Sequence, residues 1–166
     1  MNMPCSIHNC PRPSACGGRK RGAQKTECLG RSKGGVSTKI HTTCDALGNP
    51  TGFHLTPGQA HDLAGADALL PAIIDNIDAL LADKSYDAQD RMLTVLAHAG
   101  VAIVIPSKSN RLHPRAYDTE LYKARHLIEN FFAKLKQYRA IATRYDKRAV
   151  SFLGAIHLAA SVILLN

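Results

Sequence analysis

The sequence predicts an α/β fold in which helices cover a mixed sheet. Two short apolar runs, at residues 79–82 and 101–105, have the length and the abrupt polar ends of buried strands. Longer segments after each run carry apolar residues at helical spacing. The chain has 166 residues and is 45% hydrophobic, which is enough to build the core of one domain.

The elements are predicted from local patterns, namely alternation for strands, helical periodicity for helices, and Gly, Pro or Asp at their ends. Residues 47–50 form a turn that makes the first two strands a hairpin. In chain order, the predicted elements are strands at 37–45 and 51–55, a helix at 62–70, a strand at 79–82, a helix at 89–98, a strand at 101–105, a helix over 121–137 capped by Asp118 or Thr119, a basic connection at 138–148, and a terminal helix at 149–166.

Residues 1–29 are rich in Pro, Gly, Cys and Arg and show no periodicity, so we expect a poorly ordered basic segment ahead of a domain at 30–166. Zinc binding by Cys5, His8, Cys10 and Cys16 is conceivable, but their spacing fits no common ligand pattern. The odd total of five cysteines favours free thiols. No signal-peptide pattern is present and the terminal helix is short of a bilayer span, which predicts a soluble cytoplasmic protein without membrane contact.

The net charge of +8 is unevenly distributed. Residues 1–41 hold eight Lys or Arg against one acid, and residues 107–148 hold eleven against four. Residues 42–106 hold two against eight Asp. Two basic blocks around an acidic middle suit a protein that binds a polyanion and keeps carboxylates for a metal, although basic blocks are also common as solvated surface.

One helix carries four polar residues in a single column. At about 100° per residue, Tyr122, Arg125, Glu129 and Lys136 fall within a stripe roughly 60° wide, at the border of an apolar face. Charges at such spacing also serve helix solubility. A half-buried carboxylate between cations nevertheless suits metal-dependent phosphate chemistry, which makes Glu129 a candidate site residue.

A second carboxylate, Asp83, follows the apolar run at 79–82, where open sheets place functional side chains. Together with Glu129 it could bind Mg²⁺, which prefers oxygen ligands, and Mn²⁺ is the alternative. Such ions activate a water or a 3′-hydroxyl for attack on a phosphodiester. Arg125 and Lys136 would hold flanking phosphates, and Tyr122 would bind a phosphate or support the helix.

Four ordered segments resemble bacterial insertion-sequence transposases of the DDE type. The column matches their Tyr-(2)-Arg-(3)-Glu-(6)-Lys signature without a gap, and the other matching segments are at 30–41, 82–87 and 142–147. The resemblance implies a ribonuclease-H-like core that binds the double-stranded ends of an insertion sequence as a multimer and uses Mg²⁺ for strand cleavage and transfer. Asp83 would be the second catalytic Asp and Glu129 the terminal Glu. Further DNA-contact candidates in the matching segments are Arg31, Lys33, Lys39, Arg144 and Lys147.

The family's first catalytic Asp would fall near residues 3–8, where Cys5 is the best match, but no acid precedes Glu27. We therefore expect a sheet that lacks its first strand, in a truncated copy or in a second reading frame joined to an upstream one, and a chain inactive by itself. A basic DNA-binding module with structural carboxylates is the alternative, and an independent metal-dependent nuclease is a third interpretation.

Overall fold

A computed structural model describes residues 5–13, 27–32 and 35–165, with the backbone alone for 5–13 and for Ser32. In this part of the chain six strands form one mixed sheet. They are β1 (Cys5–Pro13), β2 (Gly30–Ser32), β3 (Gly35–Cys44), β4 (Pro50–Pro57), β5 (Ala79–Ala82) and β6 (Ala102–Val104).

The strands lie in the order β4-β3-β1-β5-β6, and β2 pairs with the first residues of β3. The pairs β1–β3 and β3–β4 are antiparallel. The pairs β1–β5 and β5–β6 are parallel, so β5 and β6 end at the same edge of the sheet. Side chains that follow these two strands are therefore neighbours.

Six α-helical segments cover the sheet in the described chain. They are α1 (Leu63–Ile73), α2 (Thr94–His98, preceded by a π-helical turn at Gln89–Leu93), α3 (Thr119–Lys123), α4 (His126–Gln137), α5 (Arg139–Thr143) and α6 (Ala149–Leu165). Short 3₁₀ turns lie at Ile74–Asn76 and Lys84–Tyr86. Within the described residues no helix, including the uncharged α6, is long and apolar enough to cross a membrane.

The helices lie on both faces of the sheet. On one face, α1 and α2 pack over a buried cluster that includes Leu80 and Ala82 of β5. On the other face, α4 and α6 pack over a cluster that includes Ile40 and Cys44 of β3. Leu81 of β5 faces this second side, where it contacts the α3 region. Successive β5 residues thus alternate between the two cores, as a strand buried on both faces requires.

This arrangement confirms the predicted α/β class, and β5 has the predicted bounds. The expectation that the first strand is missing is wrong, because β1 occupies the centre of the sheet, inside the segment predicted to be poorly ordered. Its sequence contains two prolines and no regular alternation, so no local pattern indicates a strand. The ladders to β3 and β5 on its two sides supply the pairing instead.

The predicted helix over residues 121–137 is divided into α3 and α4. Asp118 is its N-cap, with its carboxylate accepting from the Leu121 N–H at 2.9 Å. At the junction, the N–H groups of Ala124 and Arg125 donate three residues back rather than four, which tightens the turn. The predicted connection at 138–148 also contains a short helix, α5. Both differences concern local backbone geometry, which side-chain periodicity does not specify.

Candidate active site

Asp83 stands directly after β5, at the edge where β5 and β6 end. Its Oδ1 accepts a hydrogen bond of 2.6 Å from the Lys84 N–H and so caps the turn at Lys84–Tyr86. The Asp83 side chain is 41% exposed to solvent. The cap fixes the carboxylate, and its second oxygen stays available to other groups.

Arg125 brings the two predicted carboxylates together. Its Nη2 lies 2.6 Å from Oε1 of Glu129, one helical turn further on, and its Nη1 lies 3.9 Å from Oδ2 of Asp83. The arginine side chain is only 20% exposed, whereas that of Glu129 is 48% exposed. The structure thus joins a residue after β5 and a residue on α4 through one half-buried guanidinium.

Tyr122 supports this guanidinium from the side. Arg125 Cζ lies 5.5 Å from the centroid of the Tyr122 ring, in cation–π geometry, and Tyr117 packs edge-on against the same ring at 5.4 Å. Burial raises the pKa of Tyr122, and nearby Asp83 raises it further, against the opposing effect of Arg125. The phenol therefore stays protonated at neutral pH, and its ring packs against the guanidinium.

The carboxylates at this site are of the ligand type that suits a hard divalent cation. Asp83 and Glu129 offer carboxylate oxygens, the ligands that Mg²⁺ and Mn²⁺ take. Nη1 of Arg125 is buried without a hydrogen-bond partner among the described residues, and its 3.9 Å separation from Asp83 exceeds a direct hydrogen bond. Within the same residues no group of three or more His, Cys, Asp or Glu gathers around one point. Two carboxylates, rather than three, define this site.

The register of β1 shows which residue stands beside Asp83. Ser6 is level with Leu81 and Ile7 with Ala82, so one step further places His8 level with Asp83. Because successive residues alternate faces, the position of His8 also shares the Asp83 face. Cys5 is level with Leu80, three positions away and on the opposite face. By this register His8, and not Cys5, is the β1 residue level with Asp83, while the match of Cys5 to the family's first catalytic Asp stays a prediction that the register does not favour.

The zinc-ligand candidates stay a prediction. Cys5, His8 and Cys10 lie in β1, where only the backbone is described, and Cys16 lies outside the described residues. The two cysteines with described side chains, Cys28 and Cys44, are free thiols.

The predicted DNA-contact residues divide into two groups. Lys136 and Lys147 are exposed, as is Arg31 on β2, whereas Lys33 lies outside the described residues. Lys39 is engaged within the fold, since its Nζ donates to the Asp62 carboxylate and to the Ala60 carbonyl, each at 2.7 Å. This lysine lies on the α1 side of the sheet, away from Asp83. These bonds give Lys39 a structural role and do not favour its predicted contact with DNA.

Arg144 is likewise a structural residue. Its side chain is 2% exposed. The guanidinium donates to the carbonyl oxygens of Cys28 and Glu27 at 3.2 and 2.6 Å, and it contacts Thr38. It also stacks 4.8 Å above the Phe152 ring. A guanidinium with these partners ties the segment before β2 to α6, so its burial does not favour the predicted DNA contact at Arg144.

The local sequence patterns do not indicate the role of Asp87. The carboxylate is 1% exposed and accepts from the Lys108 N–H at 2.9 Å and from Arg111 Nε at 3.0 Å. Arg115 lies 3.8 Å away. Burial alone would raise the pKa of Asp87, but the Lys108 N–H and Arg111 outweigh burial and lower it. The feature that could have indicated this role is the parallel pairing of β5 and β6, because it brings the segments after both strands to one edge of the sheet.

The chain is similar in sequence to known transposases. A family model described as a transposase DDE domain matches residues 10–164. The chain belongs to this family of transposases. A Brucella ovis protein named as a transposase for insertion sequence element IS6501 is 36% identical over 131 residues, which cover 79% of this chain and 100% of the relative.

We predict that Asp87→Asn destabilises the chain by about 2 kcal/mol near neutral pH, because charge-assisted hydrogen bonds to a buried carboxylate are lost. The folded-state pKa of Asp87 is lowered, so its contribution is present above the unfolded-state pKa and is lost as the pH falls through the folded-state value. Urea unfolding of wild type and variant, repeated from about pH 6 to about pH 2, measures this.

Asp90→Asn is the matched control, since Asp90 is an exposed acid three residues further on. We expect it to change the free energy of unfolding by less than about 0.5 kcal/mol. Equal effects of the two substitutions would contradict the anchoring role of Asp87.

Proposed function

We propose that this chain carries out DNA transposition chemistry, that is, divalent-metal-dependent strand cleavage and transfer at the ends of an insertion sequence. The observation that carries the proposal is the pair Asp83 and Glu129, joined by Arg125 at the carboxyl edge of a mixed sheet. Membership of the transposase family gives this pair its chemical context.

We further propose that the sheet is ribonuclease-H-like. Its central strand β1 is antiparallel to β3 and parallel to β5, and Asp83 follows β5 directly. Helices cover both faces of this sheet. The architecture leaves the edge beyond β5 and β6 open, which supports its assignment as the place where a DNA strand meets the carboxylates.

In this proposal Asp83 and Glu129 hold Mg²⁺ or Mn²⁺. When bound, the cation would lower the pKa of an attacking water or 3′-hydroxyl and stabilise the oxygen that leaves the phosphodiester. Arg125 orients both carboxylates and offers its guanidinium to a phosphate, for which its planar donors are suited. Tyr122 holds the guanidinium in place through ring stacking.

Double-stranded DNA is the proposed partner, with homo-oligomers forming on the ends of the element. Exposed basic residues Arg31, Lys136 and Lys147 would contact its phosphates. The position beside Asp83 on β1 carries His8 instead of an acid. Two carboxylates hold Mg²⁺ more weakly than three, so we propose that this chain cleaves DNA poorly unless a further ligand completes the site.

Substitution of Glu129 tests its proposed role as a metal ligand. Glu129→Gln removes a proposed metal ligand with little change in size, so Mn²⁺-dependent cleavage of a labelled duplex carrying an element end should fall about 100-fold or more. Glu120→Gln is the control, since Glu120 is an exposed acid on α3 that pairs only with Lys123 among the described residues. Equal cleavage by the two variants would contradict the site and favour a non-catalytic DNA-binding module.

Substitutions on β1 test its register against Asp83. His8→Asp should raise both Mn²⁺ affinity and cleavage, by about 10-fold or more, because it adds a carboxylate level with Asp83. Titration with Mn²⁺ and the duplex cleavage assay measure the two effects. Cys5→Asp adds the same charge on the opposite face of β1 and should give neither gain. A gain with Cys5→Asp that matches or exceeds that of His8→Asp would contradict the register assignment.

A further inference from the structure

A cleft of about 350 Å³, lined by residues with polar or charged side chains, lies on the side of Asp83 that faces away from β1. It opens where β5 and β6 end, because the segments after both strands form its walls. The lining residues are Asp83, Lys84, Ser85, Lys108, Ser109 and Asn110. These residues carry two ammonium groups, two hydroxyls and one amide against a single carboxylate, and this donor-rich set suits an anion with several acceptor oxygens.

The wall of the cleft is anchored to the core of the chain. Asp87 accepts from the Lys108 N–H, and Arg111 pairs with the same carboxylate at 2.9 Å. Arg115 donates to the Ile105 carbonyl at 2.8 Å and, through its own N–H, to Ser107 Oγ at 2.9 Å. These bonds fix both ends of the segment that carries Lys108, Ser109 and Asn110. A preformed wall reduces the entropy lost when a ligand binds.

The cleft shares Asp83 with the proposed metal site. Arg125, which pairs with Glu129, lies 3.9 Å from one oxygen of Asp83, and the other oxygen accepts a hydrogen bond from the N–H of Lys84, a residue that lines the cleft. A DNA strand that contacts a cation at Asp83 would therefore carry a neighbouring phosphate past the two lysines. Their positive charge would offset the repulsion between that phosphate and the carboxylate.

We propose that this cleft is a subsite for a backbone phosphodiester of the DNA strand held at Asp83. The proposal rests on the proposed function for the identity of the ligand, and it assigns Lys108, Ser109 and Asn110 to strand positioning. Lys84 and Lys108 supply charge, and the hydroxyls and the amide supply hydrogen bonds to the phosphate oxygens.

Binding of a fluorescent duplex without divalent cations tests the subsite apart from cleavage. Lys108→Ala should weaken binding about 5-fold and lower the slope of log affinity against log salt by about 1, as expected for one lost phosphate contact. Lys134→Ala removes the same charge from the exposed face of α4 and should change the slope little. Equal changes in the two variants would show a general charge effect and overturn the subsite.

Amide chemical shifts identify the ligand. Thymidylyl-(3′,5′)-thymidine, which carries one phosphodiester, should shift the Ser85, Ser109 and Asn110 amides of the full chain and bind more tightly than inorganic phosphate. Equal affinity for the two would mark a free-anion site, and no shift with either would exclude an anion site, so both results overturn the proposal. Glu129-dependent cleavage without these shifts would leave the proposed function intact, whereas shifts without cleavage would support the subsite alone.

Discussion

The candidate site depends on one guanidinium that pairs with carboxylates from two distant parts of the chain. Arg125 contacts Glu129 at 2.6 Å within its own helical segment and Asp83 at 3.9 Å beyond the end of β5. Without a cation between them, two carboxylates at one edge of a sheet repel each other, and each would turn toward solvent. A half-buried arginine holds them near each other in a form that a divalent cation or a phosphate can then enter.

The rest of the fold supports this pair from both sides. On one side, the Tyr122 ring packs against Arg125, and Tyr117 packs edge-on against Tyr122. On the other, buried Asp87 holds the segment after β6 against the turn after Asp83. The two supports use different physics, since the first is aromatic packing and the second is a charge-assisted hydrogen-bond network. Both act at the edge where parallel strands end, so the site follows from strand direction as much as from residue type.

Much of this could be predicted from the sequence, and the exceptions have physical causes. Asp83 and Glu129 could be predicted as candidates because a strand end and helical spacing are local sequence patterns. In the structure Asp83 directly follows β5, and Glu129 lies one helical turn after Arg125. Strand β1 could not be predicted from the sequence, since the strands that pair with it, β3 and β5, lie far along the chain. Arg144 matches a family segment in sequence, yet its guanidinium is buried against partners more than 100 residues away. Burial and long-range pairing are properties of the fold, and no local pattern encodes them.

We propose above all that Asp83 and Glu129 form one divalent-cation site, in which Arg125 holds the two carboxylates near each other. A crystal of the chain soaked in Mn²⁺ tests it directly through anomalous scattering. We expect one Mn²⁺ peak within coordination distance, about 2.0–2.2 Å, of oxygens from both carboxylates, with the Arg125 guanidinium displaced from Glu129. Mn²⁺ bound elsewhere at saturation, with the Arg125–Glu129 pair intact, would contradict it.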